Sequence, residues 1–423
     1  MINNWPIFTV RQLVEEGVLE SPVDGNHGEL HPKTSDFVDD GIPFIMASDI
    51  SNGIIELSKC AHISENQAKS LRKGFAIPGD VLITHKGTMG RTAIVGHIDT
   101  QYLLLTPQVT YYRIKNQNRL SNKFLKYYFD SPMFQKKFVT MGEKGSTRSY
   151  LGIQSQLDLP IMVPPLDCQN NIVNILESFD EKILLNRSIQ KNINEIAESV
   201  FKLWFNNFGH CQSLHVSELK KNEFSNNLKK IGTFDDIIIE TNQRVEDKNH
   251  LKVLSAVNTG DLVISDQYFK KKVYSENIEK YKIVNKYEFA FNPARINIGS
   301  IGMNKFDEPG AVSPVYIVFK CVNDYHYYIS YLLKTNFVKN EIAKRCSGSV
   351  RQNLRFCDLA SIPIPIPSYD QVKKFNRIVE QVNYSTFKIS ENSRVLTLIM
   401  DELLPKLISG EIRLPPFGEG GGQ

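Results

Sequence analysis

Two stretches of the chain repeat apolar side chains at heptad spacing for about forty residues, the spacing that lays one seam along a helix. Counted from Ile172, the first puts Ile172, Phe179, Asn186, Ile193 and Val200 at one seam position and Ile175, Lys182, Ile189, Ile196 and Leu203 at the other. Counted from Val372, the second puts Val372, Val379, Thr386, Ser393, Met400 and Leu407 at one position and Phe375, Val382, Ile389, Leu396 and Leu403 at the other. Two narrow seams of equal length predict two long helices, over 166–208 and 368–410, packed antiparallel against each other. Two amphipathic helices docked on separate domains are the alternative. Asn186 on the seam would fix its register, the alternative being a solvent-facing asparagine at a slightly displaced heptad. Pro405, inside the second frame, predicts a kink or an end there.

The rest of the chain reads as short strands and turns laid out twice, with an offset close to 203 residues. Gly145-Ser-Thr-Arg148 and Gly348-Ser-Val-Arg351 precede the proline-rich strands Leu159 to Pro165 and Ile362 to Pro367, each followed by a glutamine, Gln169 or Gln371. At that offset Phe124, Leu125, Tyr128 and Phe134 fall opposite Tyr327, Tyr328, Tyr331 and Phe337. Thr106-Pro-Gln-Val109 faces Ser313-Pro-Val-Tyr316, and Gly87-Thr-Met-Gly90 faces Gly299-Ser-Ile-Gly302. Strands expected before these glycine turns are Val81–Thr84 and Glu288–Phe291. The fold class this predicts is α+β, a tandem duplication with globular units over 1–165 and 209–367, each followed by a long helix, and a flexible tail over 411–423.

At 423 residues and 41% hydrophobic, the chain holds enough apolar material for two or three cores, which excludes disorder as its main state. Lys and Arg number 50 against 46 Asp and Glu, so a net charge of only +4 makes any nucleic-acid affinity a matter of local patches. One such patch runs from Arg113 to Arg148, where Arg113, Lys115, Arg119, Lys123, Lys126, Lys136, Lys137, Lys144 and Arg148 face only Asp130 and Glu143. The second copy is basic in the same place, with Lys334, Lys339, Lys344, Arg345, Arg351 and Arg355, and the cluster Lys270-Lys271-Lys272 lies upstream. Cations among tyrosines, beside Gly/Ser/Thr loops whose amides can approach phosphate, suit a DNA backbone. The residues nominated as DNA contacts are Asn26, His27, Lys86, Thr88, Arg91, Lys123, Lys126, Ser146, Thr147 and Arg148 in the first copy. Arg244, Arg295, Asn297, Ser349, Arg351 and Gln352 are nominated in the second.

Catalytic groups are not evident. Asn292-Pro-Ala-Arg295 and Ser313-Pro-Val-Tyr316 approach the loop of an amino-methyltransferase but lack its second proline and a glycine-rich donor turn, so both are assigned to the scaffold. No Gly-x4-Gly-Lys-Ser/Thr phosphate loop is present. His27 and His31 sit in a loop without further ligands, and His210, Cys211 and His215 are equally unsupported, so no metal is expected. The six cysteines, Cys60, Cys168, Cys211, Cys321, Cys346 and Cys357, form no Cys-x-x-Cys pair and read as reduced, buried thiols. With no signal-like start and no apolar run of membrane length, a cytoplasmic location is expected.

The ordered set of parts resembles the specificity subunits of type I restriction-modification systems over nearly the whole chain. Those parts are Trp5 with Val10-Arg-Gln-Leu13, the Asp24-Gly-Asn-His-Gly28 loop, Gly41-Ile-Pro-Phe-Ile45 with Ala47-Ser-Asp-Ile50, and Gly79-Asp-Val-Leu-Ile83. They continue with the Gly-Ser-Thr-Arg loop, Pro164-Pro-Leu-Asp-Cys-Gln169 and Leu407-Ile-Ser-Gly-Glu-Ile412. The resemblance implies two target recognition domains, each reading one half of a split DNA sequence, with two antiparallel helices as a ruler that docks methyltransferase subunits and, through them, restriction subunits. It implies no catalysis and no cofactor in this chain, with S-adenosylmethionine, ATP and Mg²⁺ on the partners. The second half departs from the pattern, having no clear counterpart to the Asp24 loop around Glu240-Thr-Asn-Gln-Arg244. Other readings are the recognition part of a separately encoded or degenerate nuclease-methyltransferase, and a duplicated protein-binding module. Neighbouring genes encoding a methyltransferase and a helicase would favour the first reading.

Overall fold

The computed structural model describes residues 5–143, 149–205, 228–246, 250–269, 271, 273–346 and 353–412. The chain divides into two compact units, Met1–Asn186 with Glu391–Gln423, and Arg187–Ser390, so each unit takes in half of each long helix. The nominated residues Ser146, Thr147, Arg148, Ser349, Arg351 and Gln352 lie outside the described residues, as do Lys144, Lys270, Lys272, His210, Cys211, His215 and the tail beyond Ile412.

In the first unit, Val81–Thr84 and Val109–Tyr112 are, apart from Leu82, β-branched or aromatic and are buried throughout, as a central pair requires. They form the middle of a four-stranded antiparallel sheet in the order Thr92–Ile94, Val81–Thr84, Val109–Tyr112, Val23–Asp24. A five-stranded sheet runs beside it, in which Ile42–Ile45 and Leu103–Leu105 pair in parallel. Helices Asn122–Asp130 and Pro132–Gly142 pack Phe124, Tyr128, Phe134 and Phe138 into the main core with Ile172 and Leu176.

The second unit repeats the sheet in the same order: Ile301–Met303, Phe289–Phe291, Ile317–Cys321, Ile238–Thr241. Both copies close the turn before the third of these strands alike, with Val109 N–H donating to the Thr106 carbonyl at 3.1 Å and Tyr316 N–H to that of Ser313 at 2.9 Å. Among the described residues each proline-rich strand, Pro160–Met162 or Pro363–Pro367, pairs with a single neighbour, where a missing N–H costs nothing. The residue pairing within the helices differs from the constant offset. Tyr128 and Tyr328 are counterparts, each donating its hydroxyl to the proline strand, at Pro160 O and Pro365 O. Phe134 corresponds to buried Val338, not to Phe337. The connection from His326–Leu332 to Asn336–Arg345 is longer than its counterpart before Pro132, and the alignment slips there.

The long helices run Leu166–Phe205 and Tyr369–Ile408. The pairing is antiparallel in each unit: Asn186 meets Asn392 and Ser393 in the first, and Gln190 meets the Thr386 carbonyl and Ser390 in the second. On the first helix one seam position holds as expected, through Ile172 and buried Asn186, with Phe179, Ile193 and Val200 half-buried. The other is displaced by one residue. Leu176, Ile183 and Ala197 are buried with Gln190 between them, while Lys182 is exposed, Ile196 is 57% exposed and Leu203 76%. The second helix keeps its frame, Val379 and Val382 being buried and Ile389, Leu396 and Leu403 half-buried. It does not break at Pro405. Leu404, Leu407 and Ile408 belong to the first unit's core, and their burial outweighs the roughly 3 kcal/mol such a proline costs.

Among the described residues all cysteines are free; Cys60 and Cys346 are buried, but Cys357 is exposed on the surface, against the expectation of buried thiols. No described helix is long and apolar enough to cross a membrane.

Candidate nucleic-acid interface

The ladder of the four-stranded sheet decides which turns share an edge. Asp24 and Thr84 each close their strand, and they face Thr110 and Val109 at the start of the strand between them. The segments that follow, carrying His27 and the Lys86–Thr88 turn, therefore leave the sheet on the same edge. In the second unit Thr241 and Phe291 close their strands against Val318 and Ile317, so Arg244 and the Arg295–Asn297 turn leave the corresponding edge. His27 and Arg244 each lie three residues beyond the last ladder residue of their own strand. All six of these side chains, His27, Lys86, Thr88, Arg244, Arg295 and Asn297, are on exposed residues.

The edge is firmly built. Gly87 takes a positive φ of 77° that a side chain would strain, and the turn is anchored by His85, whose Nδ1 lies 2.9 Å from Leu151 O. Burial holds the His85 imidazole below its ordinary value, so it stays neutral. Lys86 lies over the Tyr150 ring with its Nζ 5.7 Å from the centroid, which leaves its charge at the surface.

Four nominated residues are held elsewhere. Asn26 is buried, with its amide donating to Lys73 O at 2.6 Å and accepting from Arg72 N–H at 3.0 Å. Arg91 spends its guanidinium on the carbonyls of Ala47 and Ile50, at 3.2 and 3.1 Å. Lys123 pairs with Glu177 on the first long helix. Lys126 lies between Asp130 and Asp180, 3.0 and 3.4 Å away. Burial alone would lower the Lys126 ammonium, but the two carboxylates hold it above its ordinary value. These four side chains fasten the fold, while Arg91 and Lys123 remain on exposed residues.

Much of the basic run is spent the same way. Arg113 makes a two-pronged contact with buried Asp80, at 2.9 and 2.8 Å, and donates to Phe75 O. In the second copy Lys344 and Arg345 both pair with Glu341, and Arg355 with Asp358. Lys136 and Lys137 are exposed and have no ion-pair partner among the described residues. The cations offered to solvent therefore lie on turns, at Lys86, Arg244 and Arg295, as well as on the helices that sequence counting favoured. Sequence reasoning also missed Lys73, which meets Asp24 from 49 residues away. No spacing rule signals that contact, because the chain folds back between the two residues through Ile42–Ile45 and Ala61–Ile63. Asn292 and Ser313 prove to be turn residues, Asn292 Oδ1 accepting from Ala294 N–H at 3.1 Å. Among the described residues no three His, Cys, Asp or Glu side chains group as metal ligands do.

Comparison with known proteins gives a consistent family of matches. Residues 21–195 match the family model described as the type I restriction modification DNA specificity domain. Over 395 residues, 88% of this chain and 87% of the relative, the sequence is 23% identical to the type I restriction enzyme MjaIX specificity subunit of Methanocaldococcus jannaschii. Over 177 residues, 40% of this chain and 36% of the relative, it is 24% identical to the HindI specificity subunit of Haemophilus influenzae. The fold is shared with the S subunit of a type I restriction-modification system from M. genitalium, at a TM-score of 0.55, 15% identity and 96% coverage of both chains. It is shared too with a chain from a structural study of complex assembly and conformational transition of the type I R-M system, at 0.50, 13% identity and coverage of 97% and 100%.

Proposed function

We propose that this chain, whose sequence and fold resemble those of the type I restriction-modification specificity subunits, reads a split DNA sequence for its complex, one half with each unit. The resemblance is to the recognition subunit of such systems and not to a catalytic one. One observation carries the proposal: the two units repeat one sheet order and present exposed polar and cationic turns on the corresponding edge. Sequence is read by side chains that hydrogen-bond to base edges, and register is held by contacts to phosphate. His27, Thr88, Arg244, Arg295 and Asn297 suit the first task. Lys86, Lys136 and Lys137 suit the second.

The long helices keep large apolar side chains outside their seam, among them Leu185, Leu203, Tyr384, Phe387 and Leu398, all more than half exposed. Exposed apolar surface of this kind marks a docking face. We assign it to the methyltransferase subunits, and through them to the restriction subunits. S-adenosylmethionine, ATP and Mg²⁺ belong on those partners. Reconstitution tests the proposal: the purified chain alone should transfer no methyl group and cut no DNA. With methyltransferase subunits it should direct methylation to one bipartite sequence. Turnover by the chain alone, abolished by Asn292→Ala or Ser313→Ala, would overturn it.

A further inference from the structure

The segment leaving the edge strand of the first unit differs from its counterpart in the second. The Asp24 side chain is 3% exposed, yet it meets two nitrogen-bearing side chains: His27 Nε2 lies 2.6 Å from one carboxylate oxygen, and Lys73 Nζ contacts the other. Burial alone would raise the Asp24 carboxyl, but the hydrogen bonds from Lys73 and His27 more than offset it and hold the group below its ordinary value. A charged carboxylate this deep is tolerated because both oxygens are satisfied. The second unit's edge strand closes at Thr241, facing Val318, and Asn242, Gln243 and Arg244 follow it. The second unit thus lacks a carboxylate at this place.

The surrounding loop leaves this arrangement little freedom. Gly25 lies so close to Leu105 that a Cβ would collide with its carbonyl oxygen. Asn26 ties the loop to the backbone of Arg72 and Lys73 with both ends of its amide. The side chains still reaching solvent from the clasp are those of His27 and Lys73, 47% and 40% exposed.

We propose that Asp24 is a positioning residue for base reading: it accepts the Nε2 proton of His27 and so leaves Nδ1 of the neutral ring as an acceptor for a base amino group. Lys73, held by the second carboxylate oxygen, meets the neighbouring phosphate. The inference rests on the reading of this chain as a DNA-specificity subunit. The choice of base over phosphate follows from donor chemistry. A bare ring nitrogen needs a proton from its partner, which a phosphate oxygen does not carry, whereas adenine N6 and cytosine N4 offer one in the major groove. Asp24 touches no DNA in this scheme. Its contribution is the tautomer and the ring orientation, as a carboxylate behind a histidine supplies elsewhere.

Base-resolution methylation mapping in the host, with the gene replaced by variants, tests the inference. His27→Ala should relax one position of one half-site by about ten-fold in selectivity, leaving the other half unchanged. Asp24→Asn, whose amide N–H can face Nε2 and reverse the tautomer, should relax the same position. Lys73→Ala should lower methylation at all sites with the motif unchanged. A His27→Ala protein that melts like the wild type and keeps the full motif overturns the inference, as does a uniform loss of methylation at an unchanged motif. Should Asp24→Asn fail to fold, the ¹⁵N shifts of the His27 imidazole in the full wild-type chain, recorded with the ring neutral, decide the matter. The Nε2–H tautomer supports the proposal and the Nδ1–H tautomer contradicts it. Gene deletion separates the two levels: methylation unaltered by deletion overturns the specificity-subunit reading itself. A motif lost on deletion but indifferent to His27→Ala overturns only this inference.

Discussion

Asn186 on the first long helix donates its side-chain amide to Asn392 Oδ1 on the second at 2.9 Å, and to Ser393 Oγ at 3.0 Å. A buried amide on a largely apolar seam is satisfied at one register of the partner helix and orphaned at others, so it selects that register at some expense in stability. Asn186→Ala should lower the stability of the first unit by about 1 kcal/mol, since half-buried Ser393 and exposed Asn392 can turn to water. Asn186→Leu should recover the loss through apolar burial. Thermal denaturation of both variants checks this; an Ala variant as stable as the wild type would remove Asn186 from the account.

The contact between Arg113 and Asp80 belongs to the fold and not to the DNA face. Asp80 is 1% exposed, and removing its partner leaves a buried charge uncompensated. Arg113→Ala should cost roughly 3 to 5 kcal/mol, and Arg113→Lys should not restore it, because an ammonium cannot make the two-pronged contact. Denaturant titration measures both. A variant that weakens DNA binding at unchanged stability would return Arg113 to the interface.

His326 makes the second unit sensitive to acid. Its ring stacks on Tyr287 with centroids 4.1 Å apart, and burial holds its imidazole down at about 4 against an ordinary 6.5. The unfolded chain takes up this proton as pH falls through 6.5 while the native unit refuses it until about 4. The contribution is therefore complete above pH 6.5 and is lost progressively towards pH 4, to about 3 kcal/mol. His326→Phe should flatten this part of the stability profile; an equally steep loss in that variant would place the acid sensitivity elsewhere.

Tyr384 and Phe387 test the docking face. Both are exposed on the second long helix, so Tyr384→Asp with Phe387→Asp should leave the melting temperature of the chain nearly unchanged. Co-purification of methyltransferase subunits should drop at least ten-fold. Full recovery of the partners would move the docking face off this surface.

The periodicity of the chain gave away its largest features because a seam must repeat and a duplicated sheet must reuse its turns. The second long helix follows its heptad frame residue by residue. The first does not, since Lys182 in the written frame is exposed and Ile183 takes its place in the seam. A frame anchored on one apolar position cannot tell its neighbours apart when Ile175, Leu176, Ile196 and Ala197 are all apolar. At the interface, charge counting favoured the helices and missed the acids opposite them. Glu177 and Asp180 lie on another element, more than fifty residues from Lys123 and Lys126, and neutralise them. His27 and Arg244 could be nominated as loop residues, but that their segments leave corresponding ends of the two sheets shows only in the ladder, where Asp24 and Thr241 close their strands.

The central claim is that each unit reads one half of a split site and that the helix pair sets the distance between halves. Inserting one heptad into each long helix beside Asn186 and Asn392 adds about 10 Å per helix while nearly keeping the seam in phase. That length corresponds to roughly three base pairs. Mapping methylated bases in hosts carrying the wild type, the insertion and a gene deletion is the most direct measurement. The account predicts one bipartite motif that vanishes on deletion and, with the insertion, keeps both half-sites across a longer spacer at reduced occupancy. A motif that survives deletion, or an insertion that alters the half-site bases at an unchanged spacer, would contradict it.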